Sequence, residues 1–340
     1  MAGLIMNVLA VLIAVFGYLI APDPSPFANR IILEIGGQKP GFKQSFLQVK
    51  KETDQAGNNL IQRIAAGKKD DLEYVPITAW QQSGDSIVAQ KFIDEGLTER
   101  IAFHRSLLAA TPVSTKRFLV GTDKYGRDIL SRLIIGTRIS LSVGLITVLI
   151  SLTVGIILGA IAGYFRGRWD NIIMWLINVI WSIPTLLLVF AITLLLGKGF
   201  WQVFVAVGLT MWVNVARLVR GQVLATRELQ YIEAAKVLGF SHFRIITKHI
   251  LPNIMGPILV IAASNFASAI VIEAGLSFLG VGVQPPQPSW GLMIKENYNF
   301  IITQNPMLAL APGFAIMLLV LAFNLFGNGL RDALDVRGKL

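Results

Sequence analysis

Residues 227–252 read Arg-Glu-Leu-Gln-Tyr-Ile-Glu-Ala-Ala-Lys-Val-Leu-Gly-Phe-Ser-His-Phe-Arg-Ile-Ile-Thr-Lys-His-Ile-Leu-Pro, the longest polar break in the apolar C-terminal two-thirds of the chain. Tyr231, Ala234, Ala235 and Leu238 recur at i, i+3, i+4 and i+7. That spacing predicts a short helix with one apolar stripe, Glu233 and Lys236 pointing elsewhere. Gly239 suits the left-handed position that ends a helix, and Ser241 suits the cap of the next. Phe243, Ile246 and Ile250 carry the stripe on until Pro252 stops it. Two helices joined at a glycine make an elbow. Set between membrane spans, it is well placed to be gripped from the cytoplasm.

The surroundings of the elbow are apolar. Of 340 residues, 54% are hydrophobic and only 15% charged, with a mean hydropathy of +0.62. An ordinary soluble domain is about a quarter charged. The shortfall, together with long uncharged runs, identifies a polytopic membrane protein. A net charge of +10 raises a nucleic-acid binder, but many basic residues sit in short segments between apolar runs, where the positive-inside rule accounts for them. Cysteine is absent, which excludes disulfides, zinc–thiolate sites and thiol catalysis. His104, His242 and His249 are scattered and assemble neither a metal-ligand spacing nor a nucleophile–base pair. No catalytic residue and no metal site is expected.

Six spans are predicted, at 3–20, 139–163, 171–197, 201–216, 253–281 and 306–327. The first lacks a basic n-region and an Ala-x-Ala exit, so it reads as an uncleaved anchor within 1–21. Glycines inside the spans (Gly144, Gly155, Gly159, Gly256) are tolerated because neighbouring helices satisfy the backbone. Residues 22–118 are different material, nearly neutral with 13 basic and 11 acidic side chains. Short strands are expected at 74–80 and 86–89 around a turn at 81–85, and a helix from Ile93 to Leu108. This length suffices for a small domain.

Short loops set the orientation. Arg166 and Arg168 follow the second span. Arg217, Arg220, Arg227, Lys236, Arg244 and Lys248 follow the fourth, and Arg331, Arg337 and Lys339 follow the sixth. Opposite them lie Lys198 and Lys295. The elbow and both termini are therefore expected in the cytoplasm, with residues 22–138 outside.

Glu233-Ala234-Ala235, Gly239 and Ile250-Leu251-Pro252 resemble the EAA loop of the membrane subunits of bacterial ABC importers. Here His249 stands where an Ile is usual. Residues 121–132 with 136–140, Ala216–Gly221, Leu276–Gly280, Pro285–Gly291 and Leu321–Asp335 resemble one subgroup, the C-type permeases of dipeptide, oligopeptide and nickel importers. The likeness covers residues 119–340. Asn328 and Val336 replace a usual Asp and Pro, the 22–118 insert is longer than in most members, and the usual basic leader is missing. A natural start upstream of Met1 is expected.

The resemblance implies an all-α polytopic membrane protein: six transmembrane helices, a cytoplasmic coupling-helix loop at 220–252, and a small extracytoplasmic α+β insert between the first two spans. It implies a permease, not an enzyme, in the bacterial inner membrane, importing peptides or, alternatively, nickel, glutathione or another small solute. The chain contains no phosphate-binding Gly-x-x-x-x-Gly-Lys-Ser/Thr loop. No cofactor is therefore expected on it, ATP–Mg being bound by two cytoplasmic ATPase subunits. A second permease, forming a heterodimer, and an extracytoplasmic solute-binding protein complete the expected partners.

By that resemblance Tyr231, Glu233, Ala234, Ala235, Lys236, Leu238, Gly239, Ser241 and Arg244 form the ATPase-coupling surface, with Ala234 and Ala235 allowing close approach. Gate or pathway candidates are Glu273, Asn265, Pro184 and Asn214. Glu273 lies 21 residues beyond Pro252, about 30 Å along a helix. It serves either the transport path, as an outer gate or a contact for a peptide amine, or the protein itself, reaching interfacial water or tying down the Leu276–Gly280 turn. Pro184 is expected to kink the third span, shaping a channel or only packing. Gly121, Thr122, Asp123, Gly126, Arg127 and Asp128 sit just outside the second span. Asp123, Arg127 and Asp128 either receive the binding protein, line the outer mouth or form a salt-bridged interfacial helix, the last preferred. A secondary transporter would need intramembrane acids in paired halves, which the spans hardly offer.

Overall fold

The computed structural model describes residues 1–51, 59–69, 71–94, 96–302 and 305–334. Arg337, Lys339, Asp335 and Val336, used above for orientation and for the family pattern, lie outside them. The chain forms two compact units.

One unit comprises residues 11–139 and 285–315. At its centre is an antiparallel sheet of β1 (Phe42–Lys50), β2 (Leu72–Ser83), β3 (Ser86–Asp94), β4 (Leu97–His104) and β5 (Leu108–Phe118), in the order β4-β3-β2-β1-β5. The period of two divides β1 between two cores. Leu47 joins Val75, Ile77, Ile87, Ala89 and Leu108 on one face, while Phe46 joins Ile32, Ile35 and Phe118 on the other. The expected strands at 74–80 and 86–89 lie inside β2 and β3, joined by a two-residue turn at Gly84-Asp85.

The expected helix at 93–108 is overturned. This stretch is the end of β3, then β4, a 3-10 turn at Arg105–Leu107 and the start of β5. Ile101 and Phe103 alternate inward against the Leu47–Ile87 core, with Ala102 and His104 outward, and Gly96 at positive φ opens the hairpin. Among the described residues of this insert the one α-helix is α2 (Leu60–Ala66).

The other unit comprises residues 1–10, 140–284 and 316–340, and the regular structure among its described residues is all helical. Its elements belong to α1 (Ala2–Ile20), α3 (Ile129–Phe165), α4 (Gly167–Trp181), α5 (Thr185–Leu196), α6 (Phe200–Thr226), α7 (Gln230–Val237), α8 (His242–Arg244), α9 (Met255–Leu279) and, after α10 (Trp290–Asn297) of the first unit, α11 (Met307–Leu334). Gly155, Gly159 and Gly163, four residues apart on α3, meet α6 backbone to backbone. A Cβ on Gly159 would lie 2.5 Å from the Ala216 carbonyl oxygen, and one on Gly163 2.8 Å from that of Arg220. Small residues at this spacing are what lets two membrane helices approach closely.

Five described helices are long and apolar enough to cross a membrane, six if α4 and α5 count as one broken span. The expected kink at Pro184 is a break, with the two helices bent by 92°. Pro184 is the N-cap of α5, where its missing N–H costs no helical bond. The fourth span, predicted to end at 216, runs on as α6 to Thr226, so Arg217 and Arg220 lie on a helix. Arg220 is held there by two hydrogen bonds to Asp170 of α4, at 2.5 and 2.7 Å.

Candidate functional site

The elbow is built locally and rooted at long range. α7 ends in a double bond pattern in which Phe240 N–H donates to Ala235 O (3.1 Å) and Gly239 N–H to Lys236 O (3.0 Å). That pattern requires a left-handed residue between them, and Gly239 supplies it with φ +76°. Ser241 then caps α8, its hydroxyl accepting from Arg244 N–H. The chain continues through a π-helical turn at Ile245–Ile250 and a 3-10 turn at Leu251–Ile254 straight into α9. Pro252 therefore changes the helical pitch without ending the path.

The face that α7 buries differs from the expected one. Ile232 and Ala235 are buried with Ile245, Ile250 and Ile254 against Ala160 and Tyr164 of α3 and Val215, Val219 and Val223 of α6. Tyr231, Ala234 and Leu238 face outward. α7 carries two apolar stripes, and the bulkier β-branched Ile232 takes the inside. Ala235 is consequently part of the elbow's own root, leaving Ala234 as the alanine a partner would meet. Phe243 also points out, where a stripe continuous with Ile250 would bury it. Val237 is 88% exposed, Leu238 71% and Phe243 77%, with Glu233, Lys236 and Arg244 exposed around them.

The root has polar fastenings not legible beforehand. Tyr164 Oη is 2.9 Å from His242 Nδ1, Arg227 donates to the Tyr164 carbonyl, and Arg166 pairs with Glu228. Tyr231 Oη accepts from Asn253 Nδ2 at 3.0 Å. Their partners lie 22 to 78 residues apart in sequence, beyond any local pattern.

The pathway candidates separate. Asn214 is exposed and lines a cavity of about 210 Å³ with Trp181, Thr185, Thr210 and Ser268, beside the α4–α5 break at Pro184. A larger cavity of about 590 Å³ lies between α6, α9 and the end of α11, lined by Gln222, Ser264 and Arg331 among apolar neighbours. Asn265 is buried on another face of α9, its Nδ2 without a hydrogen-bond partner. Glu273 is also buried. Its Oε1 accepts from Ser277 Oγ (2.6 Å), which in turn accepts from Val283 N–H (3.0 Å). This relay fastens the turn after α9, one of the two roles left open above.

The 121–128 segment is a buried knot of turns closed by a bridge between Thr122 and Asp128, not the expected interfacial helix, because Gly121 and Gly126 turn the backbone out of helical geometry. Asp123 accepts from Tyr125 N–H (2.9 Å), Arg127 N–H (3.0 Å) and Arg127 Nε (2.6 Å). Arg127 reaches on to Glu296 at 2.6 Å and Asn29 at 3.2 Å. Thr122 donates to Ile35 O and accepts from Gln38 N–H. Asp128 accepts from the amide and hydroxyl of Ser131. Burial raises the Asp128 carboxyl above the ordinary aspartate value, with the Ser131 hydrogen bonds acting against it. Gly121 and Gly126 both take positive φ, and a Cβ on Gly126 would collide with Ile32 O. Glu296, 169 residues from Arg127, is the member that sequence reasoning missed.

A family described as "Binding-protein-dependent transport system inner membrane component" matches residues 155–339, which include the elbow. The glutathione transport system permease protein GsiD of Pectobacterium atrosepticum is 44% identical over 220 residues, 65% of this chain and 73% of that protein. The dipeptide transport system permease protein DppC of Bacillus subtilis is 44% identical over 215 residues, 63% and 67% of the two chains. The oligopeptide transport system permease protein OppC of the same organism is 40% identical over 230 residues, 68% and 75%. In fold alone, the chain is similar to one from the MetNI methionine ABC transporter in an inward-facing conformation. The TM-score is 0.50 at 18% identity, covering 60% of this chain and 97% of that one.

Proposed function

The chain belongs to the family of binding-protein-dependent transport system inner membrane components, and from that premise we propose that it forms half of a peptide pathway worked through its elbow. It is a multi-pass permease subunit of an ABC transport system, a transport component and not an enzyme. Membership displaces the ion-coupled secondary transporter as a reading.

The observation that carries the proposal is the exposed apolar crown of Val237, Leu238 and Phe243 on a buried root. Burying such side chains is worth about 1.5–3 kcal/mol each, so a protein surface that covers them gains a firm hold on the elbow. In the proposed assembly two cytoplasmic ATPases bind ATP–Mg, and one of them covers this crown. Glu233, Lys236 and Arg244 offer charged contacts at its rim, while Gly239 and Ser241 set the bend. ATPase closure displaces the elbow, and the α3–α6 pair passes the displacement on, giving alternating access.

A second permease forms the other half of the pathway, and an extracytoplasmic binding protein delivers the solute. The arrangement has six spans, α4 and α5 counting as one, with both termini on the elbow's side of a bacterial inner membrane. Residues 1–21 form the first span, 22–118 the outer insert and 119–340 the permease core. Asn214, Gln222, Ser264 and Ser268 line the proposed pathway with uncharged donors and acceptors, chemistry suited to peptide backbones. The names of the DppC and OppC relatives support peptides. The GsiD relative supports a second reading, glutathione, itself a small peptide.

The test replaces Glu233 with Lys, or Gly239 with Pro. Each variant is expected at normal abundance in the membrane, without bound ATPase and without solute uptake. Uptake equal to the parent chain in both variants refutes the coupling role. Uptake that survives collapse of the proton gradient but stops on ATP depletion tests the energy source separately.

A further inference from the structure

The insert between α1 and α3 lies outside the matched family region, which begins at residue 155, and it carries a basic cavity. This cavity, of about 410 Å³, is lined by Lys50, Lys68, Lys69 and Lys116 around Tyr74, with Asp71 as the acid among the described lining residues beside Arg30. Arg30 is paired with Asp23 at 3.3 Å. The Tyr74 ring carries the Arg30 guanidinium and the Lys116 ammonium each 4.0 Å from its centroid, so an aromatic face helps to hold cations at the cavity wall. Among the described lining residues four lysines stand against one carboxylate, a balance that favours a compact anion.

Its position selects the kind of anion. Pro22 and Pro24 of the cavity wall come directly after α1, an apolar helix long enough to span a bilayer. Lys68 and Lys69 come directly after α2, and Lys68 N–H donates to Pro24 O at 2.7 Å. The last two carbonyls before Ala66, those of Ile64 and Ala65, accept from Arg138 at 3.1 Å each. Arg138 is the last charge before the apolar run of α3, and its guanidinium lies 5.1 Å from the ring of Tyr18, two residues from the end of α1. Tyrosine and arginine at the ends of apolar helices mark the lipid–water boundary. At that level α2 presents Leu60, 62% exposed, and Ile61, 80% exposed. An exposed apolar pair followed by lysines is the pattern of a segment that lies in a membrane interface.

We propose that this cavity binds the phosphate-bearing headgroup of an anionic phospholipid, with Leu60 and Ile61 entering the adjoining acyl layer. The site uses neither the elbow nor the pathway residues, so its failure and the failure of the transport reading are separable.

The full-length chain, purified in mild detergent, is offered phosphatidylglycerol or phosphatidylcholine, and retained lipid is counted by native mass spectrometry. Preferential retention of phosphatidylglycerol is expected. Lys68→Gln together with Lys69→Gln weakens that retention about twenty-fivefold, from about fivefold for each lysine near an anionic surface. Leu60→Ser together with Ile61→Ser weakens retention of both lipids alike. All four side chains are exposed, so thermal unfolding in lipid-free detergent stays at the parent value and a loss of lipid is not misfolding. Equal retention of the two lipids, or parental retention by the double lysine variant, overturns the proposal. Displacement of phosphatidylglycerol by inorganic phosphate at matched concentration assigns the cavity to a soluble anion and overturns the lipid assignment.

Discussion

The elbow at 230–254 and the knot at 121–132 are both short polar segments bent at left-handed glycines, yet they spend their side chains in opposite ways. In the knot, charged groups are inside: buried Asp123 and Arg127 satisfy each other, and buried Asp128 accepts from Ser131. In the elbow, apolar groups are outside: Val237, Leu238 and Phe243 stand in the open. Burying charge is costly unless partners are in place; within its own fold the knot partners Asp123, Arg127 and Asp128, while Nε and Nη1 of buried Arg132 make no hydrogen bond. Exposing large apolar side chains forfeits burial that the isolated chain would otherwise gain, and in the proposed assembly the ATPase supplies that burial. Motif residues of one chain thus divide into those that hold it together and those that present it.

The contrast is breakable by mutation. Asp123→Ala leaves the buried Arg127 and Arg132 with Glu296, at 2.6 and 3.7 Å, as their remaining carboxylate, and a loss of about 3–5 kcal/mol is expected. It is read as a fall in thermal unfolding temperature in detergent, with normal ATPase capture by the molecules that still fold. A smaller loss, about 1–2 kcal/mol, is expected for Ser277→Ala, which removes the acceptor of a buried Val283 N–H. The same unfolding measurement checks it. Gly239→Ala meets no atom within 4 Å, so only the left-handed backbone resists, at about 1 kcal/mol. That variant is expected to fold and to bind ATPase more weakly in co-purification. Leu238→Ser is expected to shift stability by less than about 0.5 kcal/mol while removing most ATPase capture. Normal capture by Leu238→Ser would erase the distinction drawn between the two regions.

What was legible follows the range of the interaction that decides it. The helix–glycine–helix path of the elbow depends on neighbours at i+3 to i+5 and was readable from Gly239 and Ser241. Which face of α7 goes inside depends on Val219 and Val223 of α6, and periodicity alone favoured the Tyr231–Leu238 stripe over Ile232 and Ala235. The strand β2 announced itself by Tyr74-Val75-Pro76-Ile77. In 93–108, Ile93, Leu97 and Ile101 repeat every four residues and imitate a helix, whereas the alternation of Ile101 and Phe103 matters once β3 lies alongside. The structural preference for Asp123, Arg127 and Asp128 came from charge pattern, but Glu296 was invisible because the fold alone brings it there.

The seam of Gly155, Gly159 and Gly163 bears on how motion travels. Where two helices touch through side chains, a small push is absorbed by rotamer changes before the next helix responds. Here α3 meets α6 with glycine Cα against the Ala216 and Arg220 carbonyls, and the side chains beside that contact are Val215, Val219 and Val223, stiff at χ1 and slow to yield. A displacement arriving at Ile232 or Ile245 therefore moves both helices as a single stiff beam, and whatever the beam lines opens or shuts by nearly the full stroke.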